Sequence, residues 1–188
     1  MREHGDASLV EDYLRGDREA LGVLLRRYEG PVYNAVFRML RDPDDARDVT
    51  QTVCLKVMEN LESYDSRFKF YSWLYRIAIN ESLNWLKRSE RRAGRVESDV
   101  ADGNPGPEVA ADQLEVSDHV QKGLADLPAG DRAVIVLKYF LDCSYEDIGG
   151  ILDIPVKTVK SRLFSARRRL RDILSERGVL GGRESAAS

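Results

Sequence analysis

Cysteine and histidine are almost missing from this chain. Its 188 residues hold two cysteines, Cys54 and Cys143, and two histidines, His4 and His119. The cysteines stand far apart with no CxxC, and the imidazoles are too few for the common zinc spacings. Two buried thiols are expected, with no metal and no cofactor. Long apolar runs are missing too. None nears the ~18 residues of a membrane span, and the opening Met-Arg-Glu-His-Gly-Asp-Ala-Ser carries no apolar signal core. A cytoplasmic protein without membrane insertion is expected. No charge sign is in strong excess: 29 Lys and Arg face 32 Asp and Glu, a net charge of −3. Any affinity for nucleic acid has to come from local patches. No stretch alternates with period two for long, so no sheet is expected. A Gly-rich phosphate loop and paired histidines are also lacking, which leaves catalysis without its usual parts.

What is present is helical periodicity. Leu9, Val10, Tyr13 and Leu14 predict a first short helix ending at Gly16. Asp17 can cap a second, with Leu21, Leu24, Leu25 and Tyr28 on one face, stopped by Gly30-Pro31. Val32, Ala35, Val36, Met39 and Leu40 predict a third. Asp42-Pro43-Asp44-Asp45 starts the next, from Ala46 to about Leu61, with acids offsetting the helix dipole. Ala46, Val49, Val53 and Val57 form its core stripe. Opposite them lie Asp48, Gln51, Thr52, Leu55 and Glu59. Leu55 is thus an apolar residue in a polar ring. A lone exposed leucine is ordinary, and a docking patch for another protein is the competing reading.

Seven of the 15 aromatic residues fall between Tyr64 and Trp85. Trp73, Leu74, Ile77 and Ala78 have helical core spacing. Tyr64, Phe68, Phe70 and Tyr71 precede or open that helix, interleaved with Arg67 and Lys69. Rings among cations suit unstacked bases, because bases stack on aromatics while cations hold phosphates. From Val96 to Asp118 there are seven Asp or Glu and no Lys or Arg, with Asn104-Pro105-Gly106-Pro107 in the middle. This reads as a flexible acidic linker between two small helical domains, so the fold class expected is all-α.

The second domain ends in the most informative stretch. Ser144 with Asp147 three residues on is a capping-box start, weaker than Ser with Glu. Ile148, Ile151 and Leu152 give a short apolar face. Asp153 tolerates a left-handed turn, and Pro155 suits the first turn of a new helix. Gly149-Gly150 weakens the short helix. Val156, Val159, Leu163, Ala166, Leu170 and Ile173 then form one buried stripe. A short helix, a tight turn and a longer basic helix make a helix-turn-helix. The side of the second helix away from its stripe holds Lys157, Ser161, Phe164, Ser165 and Arg168. Lys160 and Arg167 lie on one flank, Arg162 and Arg169 on the other. From Val156 to Arg177 eight Lys or Arg stand against two Asp or Glu. Flanking cations reach phosphates while the centre meets base edges.

Three stretches together resemble one family, the extracytoplasmic-function sigma factors of bacterial RNA polymerase. Asp45-Ala46-Arg47-Asp48-Val49-Thr50-Gln51 resembles the family's core-polymerase-binding helix. Phe70-Tyr71-Ser72-Trp73-Leu74-Tyr75-Arg76-Ile77-Ala78-Ile79-Asn80 resembles the helix and loop that melt and read the minus-ten element. Ser144-Tyr145-Glu146-Asp147-Ile148 with Ile154-Pro155-Val156-Lys157-Thr158-Val159-Lys160-Ser161-Arg162-Leu163 resembles the minus-thirty-five reader. The resemblance implies a region 2 domain over 8–95, the linker over 96–112 and a region 4 domain over 113–177. It implies a polymerase contact at Asp48, Gln51, Thr52 and Leu55, although Thr52, Val53 and Cys54 stand where the family usually has an acid, a hydrophobic residue and Phe. Minus-ten contacts are implied for Phe68, Lys69, Phe70, Tyr71, Trp73, Tyr75, Arg76 and Asn80. Minus-thirty-five contacts are implied for Lys157, Thr158, Lys160, Ser161, Arg162, Phe164, Ser165 and Arg168. The implied partners are the β and β′ subunits of core RNA polymerase, promoter DNA and an anti-sigma factor, with a monomer in the free state and no covalent chemistry.

Two other readings compete. A stand-alone helix-turn-helix regulator explains 144–174 but not the aromatic loop or the polar ring around Leu55. An enzyme holding magnesium on Asp44, Asp45 and Asp48 lacks every other catalytic part.

Overall fold

The computed structural model describes residues 5–93 and 111–179. Among these residues the protein is all helical, with no strand. The helices are α1 (Asp6–Leu14), α2 (Arg18–Leu40), α3 (Pro43–Asn60), α4 (Phe70–Ala93), α5 (Ala111–Ala125), α6 (Ala129–Ile135), α7 (Tyr145–Leu152) and α8 (Val156–Glu176). A 3-10 turn, Leu61–Ser63, follows α3, and α6 runs on into a π-type segment, Val136–Phe140. Most of the expected linker, 96–112, lies outside the described residues.

Sequence signals start the helices where they are found. The Asp17 carboxylate accepts the Glu19 amide at 2.9 Å at the head of α2. The Asp42 carboxylate accepts the amides of Asp44 and Asp45, both at 2.9 Å, and Pro43 takes the first helical position of α3. Each such cap satisfies donors that a helix start leaves open, worth roughly 1 kcal/mol.

One break expected from the sequence is absent. Residues 18–40 form a single helix that passes through Gly30-Pro31. An interior proline costs about 3 kcal/mol through its missing amide and ring clash. Leu21, Leu24, Val32, Ala35, Val36 and Met39 nevertheless continue one buried stripe across it, packed on α3 and α4. Burial of a Leu or Val side chain is worth roughly 1.5–3 kcal/mol, so several of them outweigh one proline. The helix stops at Arg41, in left-handed backbone with φ 63° and its amide bonded to the Phe37 carbonyl at 2.7 Å.

In the second domain the capping box forms. The Asp147 amide donates to Ser144 Oγ at 3.0 Å, and the Ser144 amide donates to Asp147 Oδ2 at 3.2 Å. Asp153, at φ 54° and ψ 48°, ends α7, and Pro155 caps the start of α8. The two glycines of α7 differ in kind. A Cβ on Gly149 would sit 3.0 Å from the Ile154 carbonyl, so the turn needs glycine there, whereas Gly150 faces open space.

The domains pack on each other, α4 against α7, and α2 against α5 and 136–140. Gln121 donates to the Phe37 carbonyl at 3.2 Å, and the Arg38 guanidinium sits 4.2 Å from the Phe140 ring centre. Arg132, buried, donates to the carbonyls of Met39 in the first domain and of Ala125 and Leu127 in its own.

Candidate nucleic-acid interface

The second helix of the helix-turn-helix presents the face expected of it. Val159, Leu163 and Ala166 are buried, which turns Lys157, Ser161, Phe164, Ser165 and Arg168 outward. Phe164 is 62% exposed, a large ring in water with cations around it. Lys160 and Arg167 are exposed on one flank, and Thr158 and Arg162 are half-buried. Phe164, Arg167, Arg168 and Arg171 border a shallow basin. Arg169 is held elsewhere: its guanidinium meets the Asp131 carboxylate at 2.5 Å, which ties α8 to α6.

The aromatic loop is built on a buried ring cluster. Phe70 lies 5.5 Å from Tyr28, 5.5 Å from Tyr64 and 5.7 Å from Trp73, centre to centre. Tyr75 stands edge-on to Tyr28 at 6.4 Å. Burial pushes the Tyr75 hydroxyl up to about 12. Tyr28 is raised further, by burial first and then by its hydrogen bond to Asp6, whose carboxylate also pairs with Arg27. Above this base the Tyr64 hydroxyl donates to the Phe68 carbonyl at 2.5 Å, and Phe68 projects with 67% of its surface exposed. Asp65 folds the loop over itself by accepting the Arg67 amide and guanidinium, which lower its own carboxyl pKa.

The eight residues implied for the minus-ten element therefore divide. Phe68, Lys69, Arg76 and Asn80 are exposed, and Tyr71 and Trp73 are half-buried. Phe70 and Tyr75 are 3% and 6% exposed. The structure corrects the implied DNA contact of those two: in this arrangement they have almost no free surface and pack in the ring cluster. A cleft lined by Tyr64, Asp65, Phe68, Ser72, Trp73 and Arg76 opens beside the loop, with Gly150 of the second domain on its rim. The cleft offers aromatic faces beside the Arg76 guanidinium.

On α3, Asp48, Gln51 and Leu55 are exposed and Thr52 is half-buried, its hydroxyl donating to the Asp48 carbonyl at 2.9 Å. Leu55 is 57% exposed, and Met58 one turn on is exposed beside it. Sequence reasoning missed Met58, although its spacing of three from Leu55 was the available signal. It also missed Ser72, Asp147 and Gly150, which meet only through the packing of the two domains. Among the described residues no cluster of three metal-ligating side chains occurs.

Comparison with known proteins agrees with this layout. The sigma-70 region 2 family model matches residues 24–92, and the sigma-70, region 4 model matches residues 117–170. The chain is 33% identical over 180 residues to the ECF RNA polymerase sigma factor SigW of Bacillus subtilis, covering 89% of this chain and 95% of that one. It is 34% identical over 173 residues to the ECF RNA polymerase sigma-E factor of Escherichia coli K12, covering 86% and 90%. Among solved structures, CnrH in complex with the cytosolic domain of CnrY superposes with a TM-score of 0.69 at 26% identity, over 91% of this chain and 97% of that one. The fold is also shared with the sigma factor RpoE in complex with the anti-sigma factor NepR from Bartonella quintana, with a TM-score of 0.69 at 23% identity, over 82% and 96%. With a polar helix bearing Leu55, an aromatic loop and a helix-turn-helix in that order, and with relatives matching along most of its length, the chain belongs to the extracytoplasmic-function sigma factors and is an alternative sigma factor for transcription initiation.

Proposed function

We propose that residues Asp48, Gln51, Thr52 and Leu55 of α3, with Met58, dock on the β and β′ subunits of core RNA polymerase. The carrying observation is Leu55 itself, more than half exposed on a helix whose other apolar residues are mostly inside. A leucine in a polar ring is what a partner buries at the centre of a contact.

The aromatic loop then takes one non-template base of the minus-ten element. Phe68 and Trp73 wall the cleft, Lys69, Tyr71 and Arg76 hold backbone and base edge, and Asn80 supplies an amide. Extruding a base costs a few kcal/mol, which stacking and edge hydrogen bonds offset. Phe70 and Tyr75 position this loop. On α8, Ser161, Phe164 and Ser165 meet base edges of the minus-thirty-five element in the major groove, while Lys157, Thr158, Lys160, Arg162 and Arg168 hold phosphates and adjacent edges.

The protein works without covalent chemistry, in the cytoplasm, as a monomer until polymerase binds. The domains divide between the end of α4 and the start of α5, with the acidic stretch 96–112 between them. Regulation by an anti-sigma factor is part of the reading, supported by the solved complex of the sigma factor RpoE with the anti-sigma factor NepR. Run-off transcription with purified core polymerase on a promoter library tests the reading. Start sites that share two upstream elements only when this chain is added support it, and start sites independent of the chain overturn it.

A further inference from the structure

At the start of α4 one carboxylate from the second domain fills a cluster of donors. Asp147 Oδ2 accepts the Tyr71 hydroxyl at 3.0 Å, and Lys69 Nζ lies 3.4 Å away. Asp147 Oδ1 accepts the Ser72 hydroxyl at 3.2 Å. Lys69 Nζ also donates to the Tyr71 hydroxyl at 2.9 Å, so the donors form a chain that ends on the carboxylate. The Ser144 hydroxyl completes the set at 2.6 Å from Asp147 Oδ2. A lysine and two hydroxyls at the start of a long helix are groups of the kind that bind a nucleic-acid phosphate. Here a single acidic side chain occupies them, 13% exposed and shielded from solvent.

The surroundings fit the same role. The carboxylate sits beside the Phe68 and Trp73 cleft, with Gly150 of the second domain on the cleft's rim. Meanwhile Asp48, Gln51 and Leu55 on α3, and Lys157, Ser161 and Phe164 on α8, stay exposed in this closed arrangement. Of the three candidate surfaces, the minus-ten loop alone is engaged by the other domain.

We infer that Asp147 is an intramolecular stand-in for a backbone phosphate: the closed chain plugs its own anion site at Lys69, Tyr71 and Ser72, and a DNA strand competes with the second domain for it. The nucleic-acid half of this inference rests on the function proposed above; the latch itself does not. Polymerase docking at α3 does not require opening, whereas strand capture does. Where the closed form holds about nine chains in ten, the apparent affinity for single-stranded DNA is reduced about tenfold.

The test uses the full chain, small-angle X-ray scattering for the seam, and fluorescence anisotropy with a labelled twelve-residue oligothymidylate for the site. Asp147→Ser should expand the chain and tighten oligonucleotide binding about tenfold. Ser72→Asp sets a second carboxylate against Asp147 and leaves the α7 cap untouched. It should expand the chain without tightening binding, and both variants should keep the wild-type helical circular dichroism. Saturating oligonucleotide should expand the wild type. If Ser72→Asp leaves the chain as compact as wild type, the latch is wrong, whatever Asp147→Ser does to folding. If Asp147→Ser expands the chain but binds the oligonucleotide no better than wild type, the phosphate role is wrong. If both variants expand as expected and no form binds DNA even with core polymerase, the latch stands and the minus-ten reading fails.

Discussion

Lys56 Nζ lies 2.6 Å from Glu81 Oε1, joining α3 to α4 one residue past Leu55 on one helix and one residue past Asn80 on the other. Lys56 is 43% exposed at its side chain and Glu81 only 12%. Losing the lysine strands a mostly buried acid, so Lys56→Met should cost on the order of 1 kcal/mol. The double variant with Glu81→Gln should recover much of that loss. Urea midpoints for the two single variants and the double one give the coupling directly.

Leu55→Glu should leave the urea midpoint nearly unchanged, because exposed substitutions usually stay within about 0.5 kcal/mol. Capture of core polymerase by the variant should fall by tenfold or more. A variant that binds polymerase as well as wild type removes Leu55 from the docking surface.

The arginines of α8 should behave differently from one another. Arg167 is exposed beside Phe164, and Arg167→Ala should make the salt dependence of promoter binding shallower by about one unit. Arg169 is committed to Asp131, so Arg169→Ala should lower stability and leave that slope alone. Phe164→Ala should reorder the preferred minus-thirty-five sequences, at about 1–3 kcal/mol per lost base contact. One promoter library scored at two salt concentrations separates the three outcomes.

The two thiols should also separate. Burial, reinforced by Asp147, pushes Cys143 up to about 12, so almost no thiolate forms at neutral pH. Burial, then Glu29, raises Cys54 as well, but part of its surface is open. A disulfide reagent at pH 8 should label Cys54 slowly and Cys143 only after unfolding in guanidinium. Equal labelling of both in the folded chain would contradict the buried placement.

Acid should loosen the seam. Burial raises the Asp147 carboxyl, but hydrogen bonds from Ser144 and Tyr71 and the charge of Lys69 outweigh it, and the net shift is downward. Cys143 lies behind it and Asp142 nearby. A lowered acid contributes stability that is complete above its unfolded value, about 3.9, and is lost as pH falls through the folded value. Scattering profiles should therefore coincide from pH 5 to 8 and expand only below about pH 4.

Most helices were legible in the sequence because period and caps agreed: Asp17, Asp42 and Ser144 each start a helix at the residue expected. The Gly30-Pro31 break was not, because a local signal lost to a buried stripe that continues on both sides. Exposure on α8 followed its wheel, since a regular helix fixes which residues share a face. Phe70 and Tyr75 were misjudged because aromatic residue type does not say which ring packs and which projects. Arg169 could not be assigned without the position of Asp131, and Asp147 showed only its capping role, since its second partner stands 76 residues away.

The guanidinium of Arg132 gives the seam its character. It crosses between the domains to the Met39 carbonyl, and its Nε is buried with no acceptor. Burial weakens its hold on the proton, the sign of a cation short of solvation. Its other nitrogens are satisfied by carbonyls on both sides of the seam, so the guanidinium joins the domains while one of its donors goes unmet. The seam of this chain thus closes over a cation whose solvation is incomplete, and that shortfall is one cost of closure.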